Sequence, residues 1–403
     1  MTAHAFSRCR AFLPLMAAAG ATLALTAPLE VLFVREISRS SLYIGLFMLG
    51  AAVGVIAVDV FGSRFVPALD ARLALAVGLA LFGIACIGMG LASGGVLLMS
   101  SRVLQGFGGG IVLGAGLQAA VRLPDSSADL ARSLGRFNAA FLFGGAVASP
   151  GGLLVAGLVD GRIGYQVALV GTGLLALLVA AGVAIALPRL SAPPGGAPPR
   201  IGLPRFGRTP GGGAALVLAM SGEFLRGGVL LTALPLAGAV RGHPVGTITV
   251  AVALMSAVEI GALTLAYRLI RHTGVIAMLV ASFSLGTLCS AVLAVLPGET
   301  AYLGMSALFG VTLAGATAAL PVMVVDQVGE SSAGLAKFRI SAGIGLLAGS
   351  VGCAVVGAQL GVAALFTATA VVLLACAYLA HLVGARNPAD STPPGSGNNR
   401  LLK

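Results

Sequence analysis

Twelve long apolar runs follow one another along this chain, and no other feature of the sequence constrains its fold as strongly. Each run has about 18 to 25 residues, which is enough for a helix to cross roughly 30 Å of hydrocarbon. A helix satisfies all of its own backbone hydrogen bonds in that water-free layer. We therefore predict an all-α membrane protein. The twelve predicted spans cover 11–34, 42–61, 73–90, 96–121, 137–158, 164–187, 213–236, 246–267, 274–296, 301–325, 338–357 and 362–384.

The composition supports this interpretation and excludes several others. Hydrophobic residues make up 58% of the 403 residues and charged residues 9%, whereas soluble domains are about 45 to 50% apolar. The first run follows Arg8 and Arg10, as in a signal peptide, but the many later spans favour a retained first helix. Neither the histidines nor the cysteines show ligand spacing, so we expect no metal, no cofactor and no enzyme.

The net charge of +11 reflects the placement of basic residues rather than an affinity for nucleic acid. With the N-terminus inside, 18 of the 24 Lys and Arg residues fall in cytoplasmic segments. Loops rich in Lys and Arg are typical of the cytoplasmic side of a membrane. The sequence therefore predicts a multi-pass protein of the cell membrane with both termini in the cytoplasm.

A segment rich in proline and arginine divides the spans six and six. It contains no acidic residue and is typical of a solvated linker, although its arginines are also able to contact lipid headgroups. The halves repeat one another, since Gly144 and Ser149 match Gly345 and Ser350 after one constant shift. Such a repeat predicts two bundles with a substrate path between them. The predicted divisions are an N-terminal six-helix bundle at 1–187, a cytoplasmic linker at 188–212, a C-terminal six-helix bundle at 213–386 and a disordered cytoplasmic tail at 387–403.

Arg102 is a charged residue in an otherwise apolar span, where insertion costs at least about 2.5 to 3.5 kcal/mol. With Gln105, Gly106 and Gly108 it resembles the RxxQGxG signature of the major facilitator superfamily. The resemblance implies a twelve-helix transporter of two bundles, and in the antiporters of that family it implicates this arginine in proton coupling. An arginine does not release its proton, so we expect Arg102 to act on a neighbouring carboxylate. The alternative is an arginine that only stabilises packing.

The fifth span contains a second motif at Gly145, Ser149 and Pro150. It is similar to the antiporter motif GxxxGP, with Ser149 in place of the second glycine. Small residues let helices approach closely, and proline bends a helix because it lacks a backbone donor. The motif favours export, whereas the alternative is a tightly packed, kinked helix with no such meaning.

The loop between spans two and three resembles the gate loop of the superfamily only in part. Arg64 and Arg72 match the family pattern, but Pro67 stands where the family has an aspartate. The departure puts in doubt the cytoplasmic latch attributed to that aspartate, for which Asp59 and the displaced Asp70 are the candidate substitutes.

A further resemblance, over residues 27–37 and 44–47, is to the sugar efflux transporter family. It implies export of small saccharides, glycosides or similar polar molecules. Glu30 falls in this stretch, at a position that faces either water or a cavity. Four polar side chains are candidates for the substrate cavity, namely Glu30, Gln105, Gln118 and Asn138.

Three further charges lie near the middle of predicted spans. Glu223 and Arg226 are three residues apart in span seven, where they are able to pair within one helix. Glu259 in span eight reaches Arg226 if the two helices face each other. A carboxylate at that depth is suited to load and release a proton. The alternative is a static ion pair that locks the helices.

These features together predict a secondary transporter, most simply a proton-coupled exporter of small drug-like or sugar-like molecules. The residues expected to couple transport to protons are Arg102, Glu223, Arg226 and Glu259. The expected partners are a small-molecule substrate, protons and the lipid bilayer, and the protein is expected to be monomeric. A proton symporter or facilitated uptake carrier is the first alternative, and a transport-inactive membrane sensor or scaffold is another.

Overall fold

The computed structural model describes residues 11–38, 40–58, 69–122, 130–159, 161–190, 212–328 and 332–386. These residues form long helices joined by short loops. The helices are α1 (Phe12–Ile37), α2 (Ser41–Ala57), α3 (Ala71–Gly90), α4 (Gly95–Arg122), α5 (Leu130–Gly157), α6 (Gly161–Ala186), α7 (Gly212–Val240), α8 (Val245–Thr273), α9 (Val275–Val295), α10 (Glu299–Val328), α11 (Ser332–Gln359) and α12 (Gly361–Arg386).

The prediction of an all-α membrane protein is confirmed. Eleven of these helices are long and apolar enough to cross a membrane, and α2 has a shorter apolar stretch at Leu42–Ala57. Helices α5 and α8 extend beyond the predicted spans, to Leu130 and Thr273. The prediction followed hydropathy, which marks only the part of a helix inside hydrocarbon. A helix continues into water because its backbone bonds do not depend on the solvent.

Contacts divide the chain into two compact units. The first comprises Met1–Leu203 together with Pro244–Thr249, and the second comprises Pro204–His243 together with Val250–Lys403. Most of the predicted linker and all of the predicted tail lie outside the described residues, so their expected character stays a prediction.

Small residues hold the helices of the first unit together. A Cβ atom on Gly144 of α5 would overlap the carbonyl oxygen of Ala17 on α1. The same holds for Gly152 against Leu25, two turns further along the same pair of helices. Close backbone approach of this kind replaces the hydrophobic effect as the source of helix association in lipid.

The second unit repeats these contacts. Gly345 of α11 meets the carbonyl of Met220 on α7 as Gly144 meets Ala17 in the first unit. Likewise, Gly310 of α10 meets the carbonyl of Met255 on α8, as Gly106 of α4 meets that of Ala51 on α2. The internal repeat in the sequence is therefore visible in the packing of both units.

Many large apolar side chains lie on the outer surface of the helices. Leu178 and Ile185 of α6 are more than 70% exposed, and Leu374 of α12 is also exposed. The core of the first unit, by contrast, buries Phe12, Phe137 and their neighbours. In a chain that spans a membrane, exposed apolar side chains of this kind contact lipid tails.

Candidate functional site

The centre of the first unit contains an ion pair between Glu30 of α1 and Arg102 of α4. Arg102 Nη1 lies 2.5 Å from Glu30 Oε2. The two residues are only 4% and 6% exposed. Arg102 Nε also donates to the carbonyl of Phe47 at 3.3 Å, and the guanidinium lies 4.9 Å from the centre of the Phe47 ring. The carboxylate partner that Arg102 was expected to have is therefore Glu30.

Gln105 completes this cluster from the next turn of α4. Its Oε1 accepts a hydrogen bond from Arg102 Nη1, and its Nε2 donates to Glu30 Oε1 at 2.6 Å. The same Nε2 lies 3.1 Å from Thr26 Oγ1 and 3.5 Å from Cys86 Sγ. Helices α1, α3 and α4 thus contribute to one polar network, which we call the Glu30 cluster.

The glycines of the RxxQGxG motif explain why these helices lie so close. A Cβ on Gly106 would overlap the carbonyl of Ala51 on α2, and a Cβ on Gly108 would lie 2.5 Å from the amide nitrogen of Phe82 on α3. On α2, Gly50 leaves room for the Arg102 side chain, whose Cγ is 3.2 Å from the position of a Cβ. The motif therefore combines the charged residue with the small residues that allow it to be enclosed.

A second cluster of charges lies in the second unit. Arg226 Nη2 of α7 is 2.6 Å from Glu259 Oε1 of α8 and donates to Thr317 Oγ1 of α10 at 3.2 Å. The Glu259 side chain is 6% exposed and that of Arg226 is 20% exposed. Among the described residues, the buried Glu259 Oε2 has no hydrogen-bond partner. One oxygen of this carboxylate is thus paired and the other is free to accept a donor.

Glu223 does not form the intrahelical pair that its spacing from Arg226 suggested. Within the described residues, only Glu259 forms an ion pair with Arg226, whereas Glu223 is half-buried and interacts at longer range. The reason is that α7 leaves α-helical geometry directly after Glu223. The wider turn of a π-helix changes the angle between residues three apart, on which the pairing rule depends.

The π-helical part of α7 runs from Phe224 to Ala233. Its hydrogen bonds reach back five residues, as in the bond from the amide of Leu234 to the carbonyl of Val229. The Thr232 hydroxyl also donates to the carbonyl of Gly227 at 2.8 Å. Sequence reasoning missed this segment, although π-helical turns are frequent at functional sites. The adjacent glycines and the following Pro235, which lacks a backbone donor, were the available signals.

The motif of the fifth span lies at the contact between α5 and α1. Ser149 is buried and its Oγ has no partner among the described residues, while Pro150 lies inside the helix. A Cβ on Gly145 would lie 3.5 Å from the Ala24 methyl, which is an ordinary contact. The glycines at which a Cβ would overlap α1 are Gly144 and Gly152. The close packing of α5 therefore depends on glycines next to the motif rather than on the motif residues.

Of the two remaining cavity candidates, Gln118 lies away from the Glu30 cluster. Gln118 lies on α4, half-buried, and its buried Oε1 has no partner among the described residues. It is three to four turns beyond Gln105, which is roughly 20 Å along the helix. Asn138 lies on α5, but its side chain is outside the described part of the structure.

Of the predicted gate residues, Asp70 and Arg72 connect α3 to the end of α6. Asp70 is the N-cap of α3, and its Oδ1 accepts from the amides of Arg72 at 2.9 Å and Leu190 at 3.1 Å. Arg72 Nη1 donates to the carbonyl of Ala184 on α6 at 3.3 Å. Arg64, like Asp59, lies outside the described residues.

Arg122, at the end of α4, strengthens the same corner of the first unit. Its Nη1 donates to the carbonyls of Leu69 and Leu190, both at 2.9 Å. Partial burial lowers the pKa of Arg122 and the nearby Asp70 carboxylate opposes this, so the guanidinium keeps its charge. The chain segment after α6 is thus held by Asp70 from one side and by Arg122 from the other.

Each unit consists of long apolar helices, and within each unit an ion pair joins two of those helices. These are features of a multi-pass membrane transporter. The model of the Major Facilitator Superfamily matches residues 11–337. The chain therefore belongs to this superfamily of transporters and is not an enzyme. Comparison with curated protein sequences gives no match.

Solved structures of other transporters have the same fold. A bacterial homologue of the human lysosomal transporter Spinster, in an inward-facing and occupied conformation, has 15% identity and a TM-score of 0.70, with 96% of this chain and 98% of that chain covered. The human organic anion transporter MFSD10 has 14% identity and a TM-score of 0.65, with coverages of 94% and 100%. The nucleoside transporter NupG has 12% identity and a TM-score of 0.67, with 95% of this chain and 99% of that chain covered.

Proposed function

We propose that this chain is a proton-coupled exporter of small organic molecules, which acts as a monomer in the cell membrane with both termini in the cytoplasm. Transport would follow alternating access of the two predicted bundles, 1–187 and 213–386. The observation that carries the proposal is the ion pair between Glu30 and Arg102, because its two charges are enclosed within apolar spans.

The Glu30 cluster provides a site where one proton changes the contacts between helices. The ionised Glu30 carboxylate neutralises Arg102 and ties α1 to α4. Protonation removes that attraction, so Arg102 loses its charged partner and a different arrangement of the helices is favoured. Buried ion pairs suit such a switch, because removing one charge from the pair leaves the other uncompensated, at a cost of about 3 to 5 kcal/mol.

The second unit contributes further candidates for coupling. Arg226 is shared between the paired Glu259 and the more distant Glu223. Protonation of either carboxylate weakens the attraction that Arg226 experiences. The free Oε2 of Glu259 is also able to accept a donor group of a substrate. The proposal is therefore that both units contribute to coupling, through Arg102 and Glu30 in one and Arg226, Glu259 and Glu223 in the other.

The direction and the substrate rest on the motifs. The serine-proline element of α5 resembles the antiporter motif, which supports export over uptake. Residues 27–37 resemble sugar efflux transporters, whereas the absence of tryptophan leaves few platforms for sugar stacking and the 17 phenylalanines suit apolar drugs. Two transporters of the same fold are named for their substrates, organic anions for MFSD10 and nucleosides for NupG. Polar organic molecules and drugs are thus the substrates to test first.

Everted membrane vesicles test the proposal directly. A pH gradient, acidic inside, is formed in vesicles with and without the protein, and sugars, glycosides, nucleosides, organic anions and cationic drugs are added in turn. An antiporter substrate collapses the gradient only when the protein is present. A symporter or a facilitated carrier does not produce this collapse, and a sensor binds a compound without any flux.

The coupling residues are tested with the compound that collapses the gradient. Glu30→Gln should abolish the collapse, and Glu259→Gln and Glu223→Gln should reduce it. The matched control is Glu36→Gln, because Glu36 is exposed on the same helix as Glu30. Full activity of Glu30→Gln would falsify the coupling role of the Glu30 cluster, and full activity of both other variants would exclude the second unit.

A further inference from the structure

Three side chains of the Glu30 cluster form a closed ring. Arg102 Nη1 contacts Glu30 Oε2 and donates to Gln105 Oε1, and Gln105 Nε2 donates to Glu30 Oε1. Both oxygens of the carboxylate therefore accept a donor already. Gln105 is only 3% exposed, so its amide is enclosed by these partners rather than open to a substrate.

The orientation of the Gln105 amide is fixed by the charges on either side of it. An amide accepts through its oxygen and donates through its nitrogen. In the observed orientation the oxygen faces the Arg102 guanidinium and the nitrogen faces the Glu30 carboxylate. A reversed amide would place N–H groups against the guanidinium donors and an oxygen against the carboxylate. This arrangement of donors and acceptors matches the ionised form of Glu30.

The ring offers no acceptor to a proton on Glu30. Arg102 presents only donors to Oε2, and the Gln105 amide presents its donor nitrogen to Oε1. The conflict is resolved when the amide turns over, so that its oxygen accepts from the protonated Glu30. The amide nitrogen then faces Arg102 and displaces the guanidinium. Arg102 retains its bond to the carbonyl of Phe47 and its contact with the Phe47 ring.

We propose that Gln105 is a positioning residue that makes proton binding by Glu30 and the ion pair between Glu30 and Arg102 mutually exclusive. The inference rests on the proposed function, in which Glu30 accepts the proton. Without the amide, Glu30 would bind a proton on Oε1 while Oε2 kept its contact with Arg102. Gln105 thus ensures that each proton bound at Glu30 releases Arg102, which is the condition for tight coupling.

Few other charged or titratable groups of the described residues face Glu30. Arg102 approaches from α4 and Cys86 from α3. Helix α2 contributes only Tyr43 as a titratable residue, and the part of α5 at Ala139–Gly157 contains none. Three remaining groups, Arg35 and Glu36 on α1 and Tyr165 on α6, interact with one another.

Infrared difference spectroscopy of the purified full-length protein tests the proposal without knowledge of the substrate. The sample is titrated from alkaline to acidic pH, and the carboxyl C=O band of Glu30 is identified by its loss in Glu30→Gln. In the unaltered protein this band should appear together with a change in an arginine guanidinium band. That second change is identified by its loss in Arg102→Lys.

Two variants of Gln105 separate the positioning role from a merely structural one. In Gln105→Met the side chain has a similar length but no amide, so Glu30 should bind its proton about tenfold more tightly. Its carboxyl band should then appear about one pH unit higher, with no change in the guanidinium band. In Gln105→Glu the introduced acid, once protonated, donates to Glu30 and accepts from Arg102 as the amide does. The joint change of both bands should therefore return at acidic pH.

The outcomes are distinct. Unaltered band positions and an unaltered guanidinium change in Gln105→Met would overturn the role of Gln105 and leave the coupling role of Glu30 intact. If Gln105→Met does not fold, Gln105→Glu is the deciding variant. A Glu30 carboxyl band and a guanidinium band that change at different pH values in Gln105→Glu would also overturn the role of Gln105. The absence of any Glu30 carboxyl band in the unaltered protein would instead remove the proposed proton site itself.

Discussion

Arg226 on α7 pairs with Glu259 on α8, 33 residues away, rather than with Glu223 three residues before it on its own helix. The pair ties the π-helical segment of α7 to its neighbour, and Thr317 of α10 contacts the same guanidinium nitrogen. This contact between helices makes the second unit sensitive to the loss of either partner.

Removal of the Arg226 charge alone should therefore destabilise the protein more than removal of both the Arg226 and the Glu259 charges. Arg226→Met leaves the buried Glu259 without a counter-charge, at a cost of about 3 to 5 kcal/mol. The double variant Arg226→Met with Glu259→Met removes both charges and should recover most of that loss. The measurement is thermal unfolding of the purified protein, with Arg268→Met at the exposed end of α8 as the control. Equal losses in single and double variants would contradict a direct pairing.

Gly106→Ala should destabilise the first unit, whereas Gly109→Ala three residues later should not. At Gly106 the added methyl group overlaps the carbonyl of Ala51, and at Gly109 its nearest neighbour is a Leu23 methyl at 3.8 Å. Overpacking costs about 1 to 3 kcal/mol, while alanine in an unobstructed helix position gains up to about 1 kcal/mol over glycine. Thermal unfolding of the two variants checks this difference. An equal response at both positions would contradict the packing role of the motif.

The repeat predicts equal sensitivity at Gly144 and Gly345. Each added methyl group would overlap a backbone carbonyl, that of Ala17 in the first unit and that of Met220 in the second. Both alanine variants should lose about 1 to 3 kcal/mol. Gly352→Ala is the control on α11, because no atom lies within 4 Å of the added group. A loss at only one of the two equivalent positions would show that the units pack by different rules.

Asp70→Ala should release the chain segment that follows α6. The substitution removes the N-cap of α3, worth about 0.5 to 2 kcal/mol, and also the bond to the amide of Leu190. Hydrogen exchange at Leu190 should accelerate in Asp70→Ala and change little in Asp70→Asn, which keeps the accepting oxygen. Arg268→Met serves here as the remote control. Unchanged exchange in Asp70→Ala would mean that the bonds from Arg122 and from the Ala71 amide to the carbonyl of Leu190 hold this segment without Asp70.

The sequence was sufficient to predict the helices but not their partners. Apolar runs of membrane length leave one solution for the backbone, so the twelve helices follow from hydropathy. The partner of Arg102 does not, because Glu30 is on a different helix and no local pattern reveals which helices touch. The sequence favoured Glu223 and Glu259, in the other half of the chain, as the carboxylates for proton coupling, because they lie near the middle of predicted spans. Glu30 was predicted only as a candidate for the substrate cavity.

The π-helical geometry of α7 did not follow from the spacing of its charged residues. An i, i+3 rule assumes an α-helix, and it indicated a pair between Glu223 and Arg226. The π-helical segment from Phe224 onward packs closely against α11, where a Cβ on Gly227 would overlap Leu346 and one on Gly228 would lie 2.9 Å from the Cα of Gly349. A local spacing rule does not include such packing between helices.

Gly106 of α4 and its counterpart Gly310 of α10 each meet a backbone carbonyl of a neighbouring helix. The residues one turn before these two glycines differ. Arg102 precedes Gly106, whereas the buried Ser306, bonded to the carbonyl of Tyr302 at 2.7 Å, precedes Gly310. The close approach of the helices at this position is thus common to both units, whereas the charged side chain is present in the first unit and replaced by a hydroxyl in the second. The symmetry of the helix packing does not extend to the chemistry it encloses.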